Sequence, residues 1–251
     1  MLEVKGLFKS FGGVAAISDV NIAFPTGSLT AIIGPNGAGK STFFNLISGG
    51  LTPDKGSVTF NGENLIGRSR AQIIDAGIGR AFQVARIFPT LTVEESLLGA
   101  VTAHRRRAQN ITHRFPLPEM RDRTHEVAEM LGLTEKLGVT SANLSHGDQK
   151  LLDIALALVL DPKVLLLDEP TAGMGPDERW RMIERVHELW EREKLTLIFI
   201  EHDMDIVFKI APKISVLCYG RLLAEGTPDE IRTNPAVIEA YLGTSHAEAA
   251  V

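Results

Sequence analysis

The sequence predicts an α/β fold with a mainly parallel sheet, an antiparallel β subdomain at its N-terminal end and an inserted α-helical subdomain. Three observations carry that prediction. Short continuous apolar runs (Leu29–Ile33, Val164–Leu167, Thr196–Ile200) share the chain with helix-like stretches, the pattern of strands buried on both faces. From about 91 to 144 the chain turns to helical periodicity with polar faces. The first apolar run leads straight into Gly34-Pro35-Asn36-Gly37-Ala38-Gly39-Lys40-Ser41, which fits G-x-x-x-x-G-K-[ST] at every fixed position.

In chain order, the first sixty residues read as strands and turns: Leu2–Leu7, Val20–Phe24, Leu29–Ile33 and Ser57–Phe60, the last running into the turn pair Asn61-Gly62. A helix is expected over Ser41–Ser48, stopped by Gly49-Gly50. Val93–His104 and Glu119–Leu131 are the helices of the insert, separated by the loop-like Arg114-Phe115-Pro116-Leu117-Pro118. Helix Gly147–Leu160, strand Val164–Leu167 and helix Asp177–Lys194 follow, the last packing Trp180 and Trp190. Strands Thr196–Ile200 and Ile214–Cys218 and a hairpin-like Arg221–Glu225 complete the pattern. The expectation is one domain over 1–243, with a catalytic core of 1–90 and 145–243 and a helical insert of about 91–144. A small, polar, flexible tail, 244–251, closes it.

Bulk properties narrow the function. The chain has 251 residues, 44% of them hydrophobic and 23% charged, as in a globular protein in water. Its formal net charge of −5 speaks against a nucleic-acid partner, for which a basic footprint is expected. Cys218 is the single cysteine, so no intrachain disulfide forms and a reducing compartment is expected. The start, Met1-Leu2-Glu3-Val4-Lys5-Gly6, lacks the features of a secretion signal. The densest apolar run, Leu151–Leu160, is interrupted by Asp153 and is too short to span a bilayer.

The glycine-rich stretch has a mechanical meaning. A strand feeding a glycine turn and then a helix aims backbone N–H groups from Asn36, Gly37, Ala38, Gly39 and Thr42, together with the positive helix end, at one point. Lys40 then reaches the β/γ-phosphates and the Ser41 hydroxyl ligates Mg²⁺. A chance match somewhere in the chain has odds of about one per cent, so the residues point to a nucleoside triphosphate and a P-loop NTPase core. The run Val164–Leu167 ends in Asp168-Glu169, where ligands bind in such sheets. Asp168 would help hold Mg²⁺. Glu169, displaced from it by side-chain alternation along an extended chain, would polarise water as general base.

Leu144-Ser145-His146-Gly147-Asp148-Gln149 opens a helix apolar on one side. Ser145 is a plausible N-cap and Gly147 allows close backbone approach. Alone, this reads as an ordinary capped helix, a second anion site being the alternative reading. Glu201-His202-Asp203 and Asp205 lie too close in sequence to converge on a metal. The basic run His104-Arg105-Arg106-Arg107 fits a solvated helix end, membrane-surface contact being its alternative reading.

Together these stretches resemble the ATP-binding-cassette ATPases over nearly the whole chain, with the motifs in that family's order: 34–41, Gln83, 144–149, 164–169 and His202. The resemblance implies an ATPase that works with Mg²⁺ as a dimer, homo- or heteromeric, burying two ATP molecules. Lys40, Glu169, Gln83 and His202 would be its catalytic residues. Ser41, Gln83 and Asp168 would face the metal. By the same analogy Phe11 stacks on adenine, Gln83 couples to a membrane partner, and Ser145 and Gly147 contact the γ-phosphate held by the opposite chain. Two positions depart from the family pattern: His146 stands where glycine is usual, and Thr171-Ala172-Gly173-Met174-Gly175 replaces a segment ending in aspartate.

The stretches Arg80–Phe88, Asn143–Lys150, Ala172–Met174, Ile200–Met204 and Ile238–Gly243 resemble the ATPases of bacterial branched-chain (hydrophobic) amino acid importers. That subgroup also serves urea, short amides and aromatic acids. It implies two permeases, a periplasmic binding protein as indirect partner, and a peripheral place on the cytoplasmic face of the inner membrane. A cassette of DNA repair or translation fits less well, since the chain carries one cassette, an insert of about fifty residues and net negative charge.

Overall fold

The computed structural model describes residues 1–82, 85–104 and 117–248, with side chains described to Tyr241. The chain begins with β1 (Leu2–Phe11), β2 (Val14–Phe24), β3 (Leu29–Ile33), α1 (Lys40–Ile47), β4 (Lys55–Phe60), β5 (Glu63–Asn64) and α2 (Arg70–Asp75). Then come β6 (Ile78–Ala81), α3 (Val93–His104), α4 (Pro118–Met130), α5 (His146–Leu158), β7 (Val164–Asp168) and α6 (Pro176–Glu193). The C-terminal part holds β8 (Thr196–Ile200), α7 (Met204–Ile210), β9 (Lys213–Cys218), β10 (Arg221–Gly226), α8 (Pro228–Thr233) and α9 (Pro235–Glu248). These elements group into two compact units, Met1–Ala76 with Thr196–Val251, and Gly77–Leu195.

In the first unit β1 pairs antiparallel with β2 and β4, and β4 with β5. This is the expected antiparallel subdomain. β3 lies parallel to β8 on one side and β9 on the other, with β10 antiparallel to β9. Every residue of β3 and β8 is buried, which explains why both read as continuous apolar runs. Phe24 and Phe43, both fully buried, meet with ring centroids 6.4 Å apart and seat α1 against the strands.

The second unit is built on the parallel pair β6–β7, in register from Ile78↔Val164 to Ala81↔Leu167. Helix α5 packs on both strands and on α3, α4 and α6. Arg123 of α4 staples this unit: its guanidinium meets Asp161 at 2.8 Å, Glu126 at 2.8 Å and Glu193 at 3.3 Å. Pairing with β7 and packing on α5 place β6, which lies within the expected core segment 1–90, in the same unit as the helical insert.

The predicted β3, α3 and β8 coincide with the observed elements. Helices α2, α7 and α8 are not visible in the periodicity. Each has six or seven residues and buries one or two side chains (Ile73; Ile206 and Val207; Ile231), too few to trace a stripe. Their signals are caps instead. Ser69 and Gln72 form a capping box for α2, Thr227 and Glu230 another for α8, and Asp203 caps α7. At the C-terminus the backbone of α9 stays helical to Glu248, into the segment expected to be a flexible tail. Among the described residues no helix is long and apolar enough to cross a membrane.

Candidate functional site

The first unit contributes the phosphate loop. β3 delivers the chain to Gly34, whose φ of 151° and position against the Leu217 carbonyl leave no room for a Cβ. Gly39 has φ 99° and is closed in by the Ala16 carbonyl. The Gly220 N–H donates to the Ala38 carbonyl (3.0 Å) and the Ser18 N–H to the Gly220 carbonyl (2.7 Å), tying the loop to β2 and to the β9–β10 turn. Lys40 is buried, and its ammonium donates to the carbonyls of Gly34 (2.7 Å) and Pro35 (3.1 Å). The cation is therefore held at the loop by these two carbonyls. Gly39, the N-cap of α1, offers no side-chain cap, which leaves that turn's N–H groups for an anion. Asn36, Gly37 and Ser41 are exposed on the loop, and Thr42 is half-buried.

Phe11 is 48% exposed, with the Lys9 ammonium 5.5 Å from its ring centroid. Lys9 is in turn held by Asp54 (2.7 Å), which also accepts from the Ser10 N–H and hydroxyl. These hydrogen bonds, the one from Lys9 first, hold the Asp54 carboxyl down at about 2. From α9, Tyr241 is hydrogen-bonded to the Gly34 backbone; burial pushes its phenol up to about 12 against that bond. His202 is exposed just beyond β8, its N–H donating to the buried Glu201 carboxylate (3.1 Å). Asp203 accepts from the N–H groups of Asp205 and Ile206. Among the described residues no three or more His, Cys, Asp or Glu side chains gather to hold a metal.

The second unit contributes the acidic strand end. Asp168 ends β7, and its Oδ2 accepts from the Arg80 guanidinium at 2.9 Å, with side chains 8% and 10% exposed respectively. Both Arg80 (4.9 Å) and Arg86 (4.3 Å) lie over the Phe82 ring. Glu169 has φ 50°, in the left-handed region. The strand thus stops at Asp168, and a left-handed turn separates the two acids where strand alternation was expected. Lys150 of α5, itself buried, donates to the Glu169 carbonyl at 2.7 Å.

Gln83, like Arg105–Arg107 of the basic run, lies outside the described residues. The backbone on both sides of it is anchored: Asp153 of α5 accepts from the Phe82 N–H (2.7 Å) and the Arg86 N–H (3.0 Å). Burial raises the Asp153 carboxyl, and those two bonds and the Arg86 and Lys150 charges work against it.

Ser145 caps α5, accepting from the Asp148 N–H (3.2 Å), while its hydroxyl donates to the Asp148 carboxylate (2.6 Å). Lys136 pairs with that carboxylate at 2.5 Å. Burial opposes the charge on Asp148, but the Lys136 and Ser145 hydrogen bonds outweigh it and lower its pKa. Gly147 is buried against the Glu178 carboxylate. A cavity of about 240 Å³ opens here, lined by Lys136, Ser145, Asp148, Glu178, Arg181 and Arg185 among others. The His146 ring lies beside Gly173. Gly175 is the N-cap of α6 and, lacking a side chain, leaves that helix without the cap an aspartate would supply.

A phosphate loop, an acidic strand end and a capped glycine-bearing helix are thus all formed, and the profile of the ABC transporter family matches residues 17–172. The chain belongs to that family. A second profile, of the branched-chain amino acid ATP-binding cassette transporters, matches residues 221–247 and so covers β10, α8 and most of α9. The cassette is 39% identical to the high-affinity branched-chain amino acid transport ATP-binding protein LivG of Escherichia coli (strain K12), over 97% of this chain and 98% of that one. It is 38% identical to BraF of Pseudomonas aeruginosa, with the same coverage. Among solved structures, the ADP conformation of MJ1267, an ATP-binding cassette of an ABC transporter, superposes with a TM-score of 0.83 at 31% identity, over 97% of this chain and 98% of that one. The cassette binds ATP and is an ATPase whose hydrolysis is coupled to transport.

Sequence reasoning missed Arg80, Lys150, Asp153 and Tyr241. Asp153 did leave a signal, as the single acid interrupting the apolar run Leu151–Leu160. Arg80 and Lys150 lie inside stretches recognised only for their resemblance, and the Tyr241 hydroxyl finds its partner about 200 residues away in the chain.

Proposed function

We propose that this cassette energises an importer of branched-chain or other hydrophobic amino acids, as one of two ATPases, identical or not, bound to two permeases at the cytoplasmic face of the membrane. A periplasmic binding protein would deliver the cargo. The observation that carries the ATPase reading is the preformed phosphate loop, with Lys40 already turned onto the Gly34 and Pro35 carbonyls. The cargo reading rests on the subgroup match at 221–247 and on what LivG and BraF are named for.

The chemistry follows from the residues. Lys40 and the backbone N–H groups of residues 36–42 hold the phosphates, and Phe11 offers the ring face not taken by Lys9 to adenine. The Ser41 hydroxyl and the Asp168 carboxylate are oxygen donors, the type that Mg²⁺ takes, and would hold it with Gln83. When bound, that ion neutralises charge on the β- and γ-phosphates. Glu169 accepts a proton from the attacking water and His202 hydrogen-bonds the γ-phosphate. Ser145 and Gly147 of a second cassette close on the γ-phosphate. Closure of two cassettes on two ATP molecules moves the permeases through the region of Gln83 and the helical insert; hydrolysis lets them part.

Glu169→Gln tests this. It should keep ATP binding and lose hydrolysis by about 10²-fold or more. Steady-state turnover near wild type would remove Glu169 from the role of base. Leucine uptake into vesicles holding the cassette with its permeases and binding protein tests the cargo; ATP turnover stimulated by urea or an aromatic acid but not by leucine would reassign it.

A further inference from the structure

Helix α5 carries two buried charges one turn apart, Lys150 and Asp153, 4% and 6% exposed. An apolar helix face does not need either. Lys150 donates to the carbonyl of Glu169 at 2.7 Å, at the one residue of the acidic strand end held in the left-handed region. Asp153 accepts from the N–H groups of Phe82 and Arg86, the two flanks of the segment that contains Gln83. The same helix begins at Ser145 and Gly147.

We propose that α5 is a positioning element in which Lys150 fixes the backbone of Glu169 and Asp153 fixes the backbone at Phe82 and Arg86, so that the helix whose N-terminus meets the opposite nucleotide also sets the geometry for hydrolysis. The proposal rests on the ATPase reading above. A left-handed glutamate costs about 1–3 kcal/mol and persists only where its surroundings hold it. An ammonium on its carbonyl is such a hold: it is charge-assisted, short and desolvated. The carboxylate of Asp153 satisfies two backbone donors at once, a task that neither an amide nor an apolar side chain of the same size can perform. Both residues act through others and touch no substrate.

The test uses the full chain in four forms: wild type, K150M, K150Q and K150R. ATP affinity is read by titration with a fluorescent ATP analogue in the presence of Mg²⁺, and turnover by phosphate release. A positioning role predicts that K150M binds ATP within about twofold of wild type while kcat falls on the order of ten- to a hundredfold. K150R, which can still donate to the carbonyl, should recover most of that loss. Asp153→Asn, which turns one acceptor into a donor facing a donor, should lower kcat in the same way. Unchanged kcat in K150M overturns the proposal. So does a K150R no better than K150M, and so does a parallel fall of affinity, kcat and melting temperature, the mark of packing alone. If K150M fails to fold, Asp153→Asn is read by the same criteria, and K150Q, whose amide can still donate, is expected within about tenfold of wild type. A wild-type chain that binds no ATP would overturn the ATPase reading itself. Wild-type turnover beside an unimpaired K150M removes Lys150 alone.

Discussion

Replacing Arg80 by methionine tests how the acidic strand end is held. The Arg80–Asp168 pair is 2.9 Å long and its side chains are 10% and 8% exposed, so water screens it little. R80M keeps the apolar stem and removes the charge, leaving the Asp168 carboxylate buried beside β6 without that partner. Breaking one side of a buried pair costs about 3–5 kcal/mol. The lost cation–π contact with Phe82 adds about 1 kcal/mol. For a chain of 251 residues each kcal/mol lowers the melting temperature by about 2–4 °C. The expected fall is therefore on the order of 10 °C, measured by calorimetry and by urea midpoints. The double variant R80M/D168N removes both charges and should be more stable than R80M alone, with a coupling in the double-mutant cycle of about 2 kcal/mol or more. An R80M within about 1 kcal/mol of wild type, or strictly additive effects, would refute the reasoning.

Three further outcomes follow from other parts of the fold. In a Tyr219→Phe background, which leaves Tyr241 as the single tyrosine, absorbance titration should give a midpoint at about 12. Because that pKa is raised, the stability tied to it is present below pH 10 and lost as pH rises from about 10 to 12; a midpoint at 10 would show that the phenol is not buried. Asp54 behaves oppositely: its carboxyl should titrate at about 2 by NMR, so the Asp54–Lys9 bond holds above pH 4 and fails as pH falls through about 2, and a midpoint near 4 refutes it. Glu169→Gly should raise thermal stability by about 1 kcal/mol, by relieving the left-handed turn, while abolishing hydrolysis; a drop in stability would show that the turn carries no strain.

The sequence exposes what repeats or what must be one residue type. β3 and β8 are legible because every residue in them is buried, and the phosphate loop because only glycine fits at Gly34 and Gly39. Asp168 and Glu169 are legible because they follow a buried strand. What escapes is set by tertiary partners. Glu169 occupies a left-handed turn rather than an extended chain, and nothing in Leu167-Asp168-Glu169-Pro170 announces it. Arg80 reads as one more polar strand residue until β7 places Asp168 within 2.9 Å of it. Short helices such as α2 and α8 are written in their capping residues, not in periodicity.

The residues that escaped share a property that bears on function. Arg80, Lys150 and Asp153 are charged and almost wholly buried, as is Asp168, which the sequence did expose, and each charge carries a desolvation cost that an apolar side chain of similar size would not. A fold selected only for stability would shed them. What they hold is backbone or carboxylate at residues 82, 86, 168 and 169, in the segment that follows β6 and at the end of β7. Hydrogen bonds to a buried charge are short and directional, so they specify position where apolar packing specifies only volume. Hydrolysis here asks for placement more than for covalent chemistry. Four desolvated charges around one strand end are then the physical form that the requirement for placement takes.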